Sequence, residues 1–194
     1  MDELYFKYKN EYKPKKGCLL ISEPHLPDSN FERSVIILCE HNEKGSLGFV
    51  LNQPAKFALN DIMPNANKIN VPIRIGGPVE HNTLHFLHRN NPDLEMSTII
   101  SDTINWGGNY ELVFEWLKNG IANKEDFLFF VGYSGWSPGQ LEEEIGRNSW
   151  IVFPEASQQL VFDTSSNNLW KEVLYKMGGR FSIFANYPTD PRLN

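Results

Sequence analysis

Dense apolar runs, separated by turns that contain glycine and proline, dominate the pattern of this chain. Residues 34–39 and 47–51 are two such runs, and the polar stretch between them ends near Gly45. Runs rich in β-branched residues and joined by a glycine-containing turn predict a β-hairpin. Both runs are apolar at odd and even positions alike, so we expect the hairpin to lie centrally in a sheet that is covered on two faces.

Shorter runs predict the remaining elements. Strands are expected at residues 17–22, 73–75, 83–88, 97–100, 127–131, 149–153 and 159–162, and helices at residues 59–63, 110–118, 138–146 and 169–177. We expect Ser166 to cap the last helix and Gly178 with Gly179 to end it. Because hairpins come early and helices arrive singly later, the pattern favours an α+β fold with a largely antiparallel sheet. No linker divides the chain, so we expect an arm at residues 1–16 and one domain at residues 17–194.

The most distinctive segment follows a predicted buried strand and reads Gly-Tyr-Ser-Gly-Trp-Ser-Pro-Gly-Gln-Leu-Glu at residues 132–142. We interpret it as a glycine-rich turn that leads into a helix. Ser137 is suited to the N-cap, Pro138 to the first helical position and Gln140 to the closing of a capping box. Such a turn can direct backbone N–H groups at an anion, so the segment predicts a binding site.

Composition narrows the classes of function. The 194 residues carry a formal net charge of −6 and a sequence pI of about 5.4, which opposes direct binding to nucleic acid or to an anionic membrane. The two cysteines, Cys18 and Cys39, lie in apolar runs, as expected for buried thiols of a reduced protein. The N-terminus does not resemble a signal peptide, and no apolar run has membrane-spanning length. We therefore expect a cytoplasmic protein that binds no membrane.

Ser134 and Cys39 are the candidate nucleophiles. A nucleophile elbow has glycines two positions before and two positions after its serine, but here the second glycine, Gly135, comes one position early. Cys39 and His41 are two positions apart on a predicted strand and therefore share a face, although a buried unreactive thiol is the commoner state of such a cysteine. The sequence thus assigns no catalytic residue.

His81, His85 and His88 have the spacing of metal ligands on one face of a helix. Their segment is more typical of a strand, in which His85 and His88 point to opposite faces, so we expect no metal. The glycine pairs at residues 76–77 and 107–108 lack the dinucleotide-binding and phosphate-loop patterns, and we expect no cofactor.

Four blocks of the sequence resemble the AlgH/YqgE-like family of bacterial proteins. They are residues 17–22 with Pro24, residues 31–42 continuing through Gly45 and Gly48 to residues 52–54, residues 76–79 with Leu87 and His88, and residues 132–142 with residues 148–150. The resemblance covers nearly the whole chain from Gly17. It implies an α+β fold whose branched sheet partly curls into a small barrel flanked by helices. Ser134 stands where alanine is usual in the family, which further weakens a catalytic serine.

The family is often described as transcriptional regulators, and the resemblance brings no established catalytic residues. Our leading hypothesis is a cytosolic protein without catalytic activity that regulates transcription indirectly or binds a ligand or a protein partner. Candidate residues for binding an anionic small molecule are Arg33, Asn52, His88, Gly135, Trp136, Gln140 and Glu142. Glu142 also belongs to an acidic run that suits the first turn of a helix.

Two alternatives stay open. The first is direct regulation at DNA, although no pair of predicted helices has helix-turn-helix spacing. The second is a hydrolase-like enzyme that acts on a small anionic substrate at the turn formed by residues 132–140.

Overall fold

The computed structural model describes residues 8–189, in which a ten-stranded sheet is surrounded by helices. The strands are β1 (Leu19–Ser22), β2 (Val35–Asn42), β3 (Gly45–Val50), β4 (Pro54–Ala58), β5 (Pro72–Ile75), β6 (Val79–Arg89), β7 (Thr98–Ser101), β8 (Ile104–Trp106), β9 (Phe127–Trp136) and β10 (Trp150–Phe153). The helices are α1 (Leu59–Ile62), α2 (Tyr110–Lys118), α3 (Gln140–Gly146), α4 (Ser166–Met177) and α5 (Gly179–Phe184).

The main path of the sheet runs in the order β10, β1, β2, β3, β9, β6, β8, β7, and each pairing along it is antiparallel. The hairpin of β2 and β3 therefore lies in the middle of the sheet. Ile37 and Phe49 belong to the core on one side, Ile36 and Val50 to the core on the other, and all four are buried. The expected α+β fold and the two-sided burial of the hairpin are confirmed.

The sheet branches at β9. One edge of β9 pairs with β6, while the other edge pairs first with β5, in parallel, and then with β3. Gly76 joins the two branches, because its N–H donates to the Val131 carbonyl (2.9 Å) and its carbonyl accepts from the Val50 N–H (2.9 Å). A Cβ at this position would lie 2.3 Å from the Gly132 carbonyl oxygen. Only glycine fits this branch point without a shift of the backbone.

The main path curls without closing. Gly17, just before β1, approaches β7 so closely that a Cβ there would lie 3.0 Å from the Ile100 carbonyl oxygen. We call the curled strands β1, β2, β3, β9, β6, β8 and β7 the half-barrel. Its inside is filled by a core cluster that includes Leu19, Ile21, Val35, Ile37, Phe49, Leu87, Ile104 and Phe130. Helix α4 packs on the same cluster through Trp170 and Val173.

Two further clusters cover the outer face of the sheet. Helix α2 contributes Val113 to a cluster that contains Phe129 of β9. Helix α3 contributes Leu141 to a cluster that contains Trp136, at the far end of the same strand. The outer face of β9 is thus covered by different helices at its two ends.

Residues 8–16 run along the outer edge of the sheet without forming a helix or a strand. The Tyr8 hydroxyl donates to the Asn148 carbonyl (3.0 Å). Asn10 Nδ2 donates to the Trp150 carbonyl (3.0 Å), and its Oδ1 accepts from the Val152 N–H (2.8 Å). The amide of Asn10 therefore occupies the edge of β10. The first seven residues of the expected arm lie outside the described residues.

Some expectations about local structure are wrong. The segment after residue 131 is not a turn, because β9 continues through it to Trp136, and α3 begins at Gln140, two residues later than expected. The stretch expected to be a strand at residues 159–162 is a π-helical turn, Gln159–Asp163. Gly178 does end α4, as expected. The helix α5, which follows directly, and the short strands β4 and β8 were not predicted.

Candidate functional site

Strand β9 changes its alternation at Gly132. This residue has φ +67°, a left-handed conformation that glycine adopts readily. The pairing with β6 shifts register at the same place, so Phe130 and Tyr133 both pack on the inside of the half-barrel. Trp136, by contrast, packs in a cluster on the outer face. The distinctive segment therefore contributes to two separate environments.

On the outer face, Glu144 is the common acceptor of two tryptophans. Its Oε2 accepts from Trp136 Nε1 (2.9 Å) and from Trp150 Nε1 (2.7 Å), and its Oε1 accepts from Gln140 Nε2 (3.0 Å). Gln140 Oε1 accepts from the Ser137 N–H (2.9 Å), which is one half of the expected capping box. We call Trp136, Gln140, Glu144 and Trp150 the Glu144 network. This network connects α3 to strands β9 and β10, so Trp136 and Gln140 have a structural role.

The start of α3 offers little to an anion. Its N-cap is Gly139, with φ +79°, and Glu142 and Glu143 already place two carboxylates in its first turn. The nearby guanidinium of Arg147 is paired with Glu143 (3.6 Å). Anion binding here stays a prediction, and the local charges oppose it because carboxylates repel a second anion.

Glu142 contacts the end of the β2–β3 hairpin. Its Oε1 lies 3.5 Å from His41 Nε2, and His41 Nδ1 lies 2.8 Å from Ser46 Oγ. His41 and Ser46 face each other across the two strands. We call Ser46, His41 and Glu142 the His41 trio. Its composition is that of a proton relay, but 3.5 Å is longer than a well-formed hydrogen bond.

Arg33 and Asn52 lie at the other end of the hairpin from the His41 trio. Asn52 Oδ1 accepts from the first N–H of β2 (2.8 Å), and its Nδ2 donates to the Arg33 carbonyl (2.8 Å). The Arg33 guanidinium donates to the Tyr187 carbonyl (2.6 Å) and lies 4.9 Å from the ring centre of Trp170. Asn52 thus holds the base of the hairpin together, and Arg33 connects it to α4 and to Tyr187, so neither residue meets the Glu144 network.

His88 is also remote from the Glu144 network. It pairs with Phe127 at the start of β9, nine positions before Trp136, which corresponds to roughly 25–30 Å along a strand. The ring is buried, and Nδ1 donates to the Arg89 carbonyl (2.7 Å). Burial lowers the pKa of His88. His88 and Trp136 therefore lie at opposite ends of β9, and the fold does not bring these two candidate residues together.

Neither candidate nucleophile is accessible. Ser134 is buried, and its Oγ donates to the Gly76 carbonyl (3.0 Å). Cys39 is buried on the inside of the half-barrel, and burial raises the pKa of its thiol well above the usual range. The pairing of β2 with β3 shifts register around Cys39, which turns His41 towards α3 instead. The expectation that Cys39 and His41 share a face is wrong because of this bulge.

A group of aromatic residues that was not predicted from the sequence lies at one mouth of the half-barrel, beyond Phe130. The ring centre of His85 lies 5.1 Å from that of Phe49, 6.2 Å from that of Trp106 and 6.0 Å from that of Tyr133. We call Phe49, His85, Trp106 and Tyr133 the mouth cluster. Phe49 is buried, and the other three are partly exposed. His85 and Leu87 are two positions apart on one predicted strand, which indicates that they share a face. The sequence did not show which strands pair with it.

Hydrogen bonds fix the tautomer of His85. Thr83 Oγ1 donates its only proton to the Glu80 carbonyl (2.8 Å), so it accepts from His85 Nε2 (2.9 Å). The imidazole proton is therefore on Nε2, and Nδ1 carries a lone pair. Burial lowers the pKa of His85, and the Glu80 charge opposes this with a smaller effect, so the neutral ring is favoured at neutral pH.

Three polar atoms of the mouth cluster have no hydrogen-bond partner within residues 8–189. They are His85 Nδ1, which accepts, Trp106 Nε1, which donates, and the Tyr133 hydroxyl, which does both. None of the three is closed off from solvent. Apolar walls with a few polar groups are typical of small-molecule sites, which are common at the mouths of barrels.

The described residues, 8–189, contain neither a candidate metal site nor a candidate membrane-spanning helix. No three His, Cys, Asp or Glu side chains in this range are grouped so that they could hold a metal ion. Among the helices of the same range, none has the length and apolar character that a membrane crossing requires.

Comparisons with known proteins agree with the resemblance noted from the sequence. A family described as AlgH-like (DUF179) matches residues 19–182. A UPF0301 protein of Chlorobium phaeobacteroides is 41% identical over 186 residues, which cover 95% of this chain and 99% of that protein. A UPF0301 protein of Cytophaga hutchinsonii is 41% identical over 180 residues, covering 92% and 98%.

Two solved structures have a similar fold. The crystal structure of protein DIP2367 from Corynebacterium diphtheriae superposes with a TM-score of 0.75 at 21% identity, covering 96% of this chain and 98% of that one. The solution structure of AlgH from Pseudomonas aeruginosa superposes with a TM-score of 0.71 at 25% identity, covering 93% and 98%. From the family match and the close relatives together, we conclude that this chain belongs to the AlgH-like family.

Proposed function

We propose that this protein binds a small molecule at the mouth cluster without catalysing a reaction, and that any role in transcription is indirect. The observation that carries the proposal is that three polar atoms on an aromatic wall, at His85, Trp106 and Tyr133, have no hydrogen-bond partner within residues 8–189 and are not sealed from solvent. Aromatic surfaces that carry a few polar groups can bind ligands through apolar contact and use the polar groups to orient them.

The surroundings of His85 support binding over catalysis. Its Nε2–H is held by Thr83, whose own proton is donated to the Glu80 carbonyl. No serine, cysteine or lysine of the described residues is bonded to this imidazole. A general base needs a nucleophile within hydrogen-bond reach, so the ring is better suited to recognising a donor on a ligand.

Charge and helix geometry support an indirect role in transcription. The net charge of −6 repels the phosphate backbone. Helices α4 and α5 are separated by one residue, Gly178, but α5 has only six residues and buries Phe184 in the core. A recognition helix has to expose one face to the major groove, which α5 does not do over a useful length. We expect no retardation of DNA in gel shifts, even at low salt.

A fragment screen by two-dimensional NMR tests the binding proposal. Small aromatic compounds should shift the indole signal of Trp106, which is identified by its loss in Trp106→Phe. The same shifts should be lost in His85→Phe, which keeps a flat ring but removes Nδ1. They should persist in Tyr175→Phe, which removes a hydroxyl from an exposed residue of α4.

Two outcomes would contradict the proposal. One is a screen in which no compound shifts the Trp106 signal. The other is equal binding by the native protein and His85→Phe, which would mean that the polar atom of this ring does not contribute.

A second candidate function, a hydrolase, is favoured by one observation: Ser46 Oγ lies 2.8 Å from a ring nitrogen of His41. Two features weaken it. The carboxylate of Glu142 is 3.5 Å from the other nitrogen, and Ser46 lies between His41 and Trp136 in the sheet, where ladder bonds occupy its neighbours. An oxyanion hole needs unpaired N–H groups near the nucleophile.

The hydrolase is tested with an activated ester such as p-nitrophenyl acetate. If Ser46 is a nucleophile, the native protein should release a burst of nitrophenol equal to the protein concentration, and Ser46→Ala should not. Equal rates for the two proteins would remove this candidate.

A further inference from the structure

We infer that the ligand of the mouth cluster is a neutral, planar nitrogen heterocycle of the nucleobase type, free or as a nucleoside. This inference rests on the proposed function and adds the chemical class of the ligand. It is carried by the arrangement of acceptor, donor and aromatic face at His85, Trp106 and Tyr133.

A ligand that pairs with these polar atoms must have an edge that both donates and accepts hydrogen bonds. His85 Nδ1 can only accept, because the proton is on Nε2, and Trp106 Nε1 can only donate. The centres of the two rings are 6.2 Å apart, and their planes are inclined to each other by 48°. A molecule that satisfies both must present an N–H close to a carbonyl oxygen or a bare ring nitrogen. The hydrogen-bonding edges of purines and pyrimidines have this pattern.

The exposed part of the Tyr133 ring favours a flat ligand. Tyr133 is partly exposed beside Gly135, whose absent side chain leaves the edge of the ring uncovered. A Cβ on Gly135 would lie 3.3 Å from Tyr133 Cε2. Glycine inside a strand often marks a place where a ligand approaches closely, and flat heterocycles stack on tyrosine and tryptophan. Gly135 was expected from the sequence to belong to a binding site, and here it borders the proposed one.

Charge favours a base or a nucleoside over a phosphorylated form. The carboxylate of Glu80 is close enough to His85 to affect its titration, and it would repel a phosphate held nearby. The net charge of −6 acts in the same direction against a polynucleotide. We therefore expect affinity to fall from nucleoside to nucleoside monophosphate to oligonucleotide.

The test uses the full-length protein and matched pairs of probes in an NMR titration followed at the Trp106 indole. Hypoxanthine is paired with caffeine, a purine in which every ring N–H is methylated and C2 carries an additional carbonyl. Uracil is paired with 1,3-dimethyluracil, which differs from it only in the two methyl groups. The unmethylated member of each pair should bind at least about tenfold more tightly, because one lost hydrogen bond to a neutral partner has that size. Uridine, uridine monophosphate and a ten-residue oligouridine form the charge series.

Two variants connect the binding to the site. Gly135→Val should weaken hypoxanthine at least about tenfold, because its methyl groups cover the Tyr133 ring. Gly135 is exposed and its φ is not in the left-handed region, so we expect the variant to have a melting temperature near that of the native protein. His85→Phe should reduce the preference for hypoxanthine over caffeine to near unity, because Nδ1 is the acceptor that distinguishes them.

The outcomes separate this inference from the proposed function. If caffeine binds as tightly as hypoxanthine at the Trp106 signal, the nucleobase class is wrong although the mouth still binds ligands. If the oligonucleotide binds more tightly than uridine, the preference for a free base is wrong. If a folded Gly135→Val protein binds hypoxanthine normally, the site is elsewhere. If no compound of any class shifts Trp106, the proposed function fails as well.

Discussion

The outer face of the sheet and the mouth of the half-barrel use the same kinds of side chain in opposite ways. On the outer face, the indole N–H groups of Trp136 and Trp150 both donate to Glu144. At the mouth of the half-barrel, the polar atoms of Trp106 and Tyr133 have no partner among residues 8–189. Aromatic residues whose polar atoms are paired inside the protein act as scaffold, whereas those left open to solvent are available to a ligand.

Gly132 is the residue that separates these two environments, and its replacement should have the largest effect. In Gly132→Ala, the Cβ would lie 2.7 Å from the Val79 carbonyl and 2.8 Å from the Gly77 carbonyl, in a left-handed conformation. We expect the free energy of unfolding to fall by about 3 kcal/mol. Gly139→Ala is the matched control, because its φ is similar but nothing lies within 4 Å.

The control should lose only about 1 kcal/mol, the cost of a left-handed residue other than glycine. Both values come from urea denaturation followed by tryptophan fluorescence. Equal losses in the two variants would show that the contacts around Gly132 do not matter and that the segment is less constrained than described.

Glu144→Ala should have the next largest effect, since it removes the acceptor of two nearly buried indoles. We expect a loss of about 2 kcal/mol in the free energy of unfolding, because two donors lose their partner. Glu144→Gln, which keeps one carbonyl acceptor, should lose about half as much. A loss below about 0.5 kcal/mol in Glu144→Ala, the range of ordinary surface changes, would mean that the network is not scaffold.

Acid should destabilise the folded protein. Burial lowers the pKa of His85 and of His88 below the ordinary value of 6.5, so below that pH the unfolded chain binds more protons than the folded one. Stability should therefore be complete above about pH 6.5 and decrease as the pH falls through the folded-state values. His85→Phe should make this decrease shallower in thermal melts from pH 7.5 to 5. If the melting temperature of His85→Phe had the same pH dependence as that of the native protein, the lowered pKa of His85 would not be the cause of the decrease.

Glu142→Gln should have the smallest effect. Its carboxylate is half exposed and lies 3.5 Å from His41, and exposed pairs of this kind contribute less than about 1 kcal/mol. We expect a change within about 0.5 kcal/mol that disappears in 0.5 M salt, measured by urea denaturation. A larger change that salt does not affect would mark Glu142 as part of the scaffold.

Local patterns were sufficient where neighbouring segments pair. The β2–β3 hairpin followed from two apolar runs and the turn before Gly45, because both strands and their connection lie within twenty residues. The end of α4 at Gly178 followed from glycine at a helix terminus. Ser137 and Gln140 were correctly linked, although the helix itself begins at Gln140.

The candidate site depended on distant pairing, which the sequence does not display. Arg33, Asn52 and His88 are polar residues beside turns or strand ends, and nothing local shows that their polar groups are used inside the fold. Tyr133 faces inward only because Gly132 shifts the alternation of β9, and Trp106 reaches His85 only because β8 pairs with β6. A single sequence gives the residues of the mouth cluster but not the strand order that assembles them.

The side chain of Asn10 imitates a neighbouring strand, because its amide both donates to and accepts from the backbone of β10. A strand edge closed in this way cannot recruit an extended segment of another molecule, which is the usual start of edge-to-edge aggregation. The protection is supplied by a residue outside the sheet. The exposed edge of the sheet at β10 is thus covered by residues 8–16, which contribute neither helix nor strand.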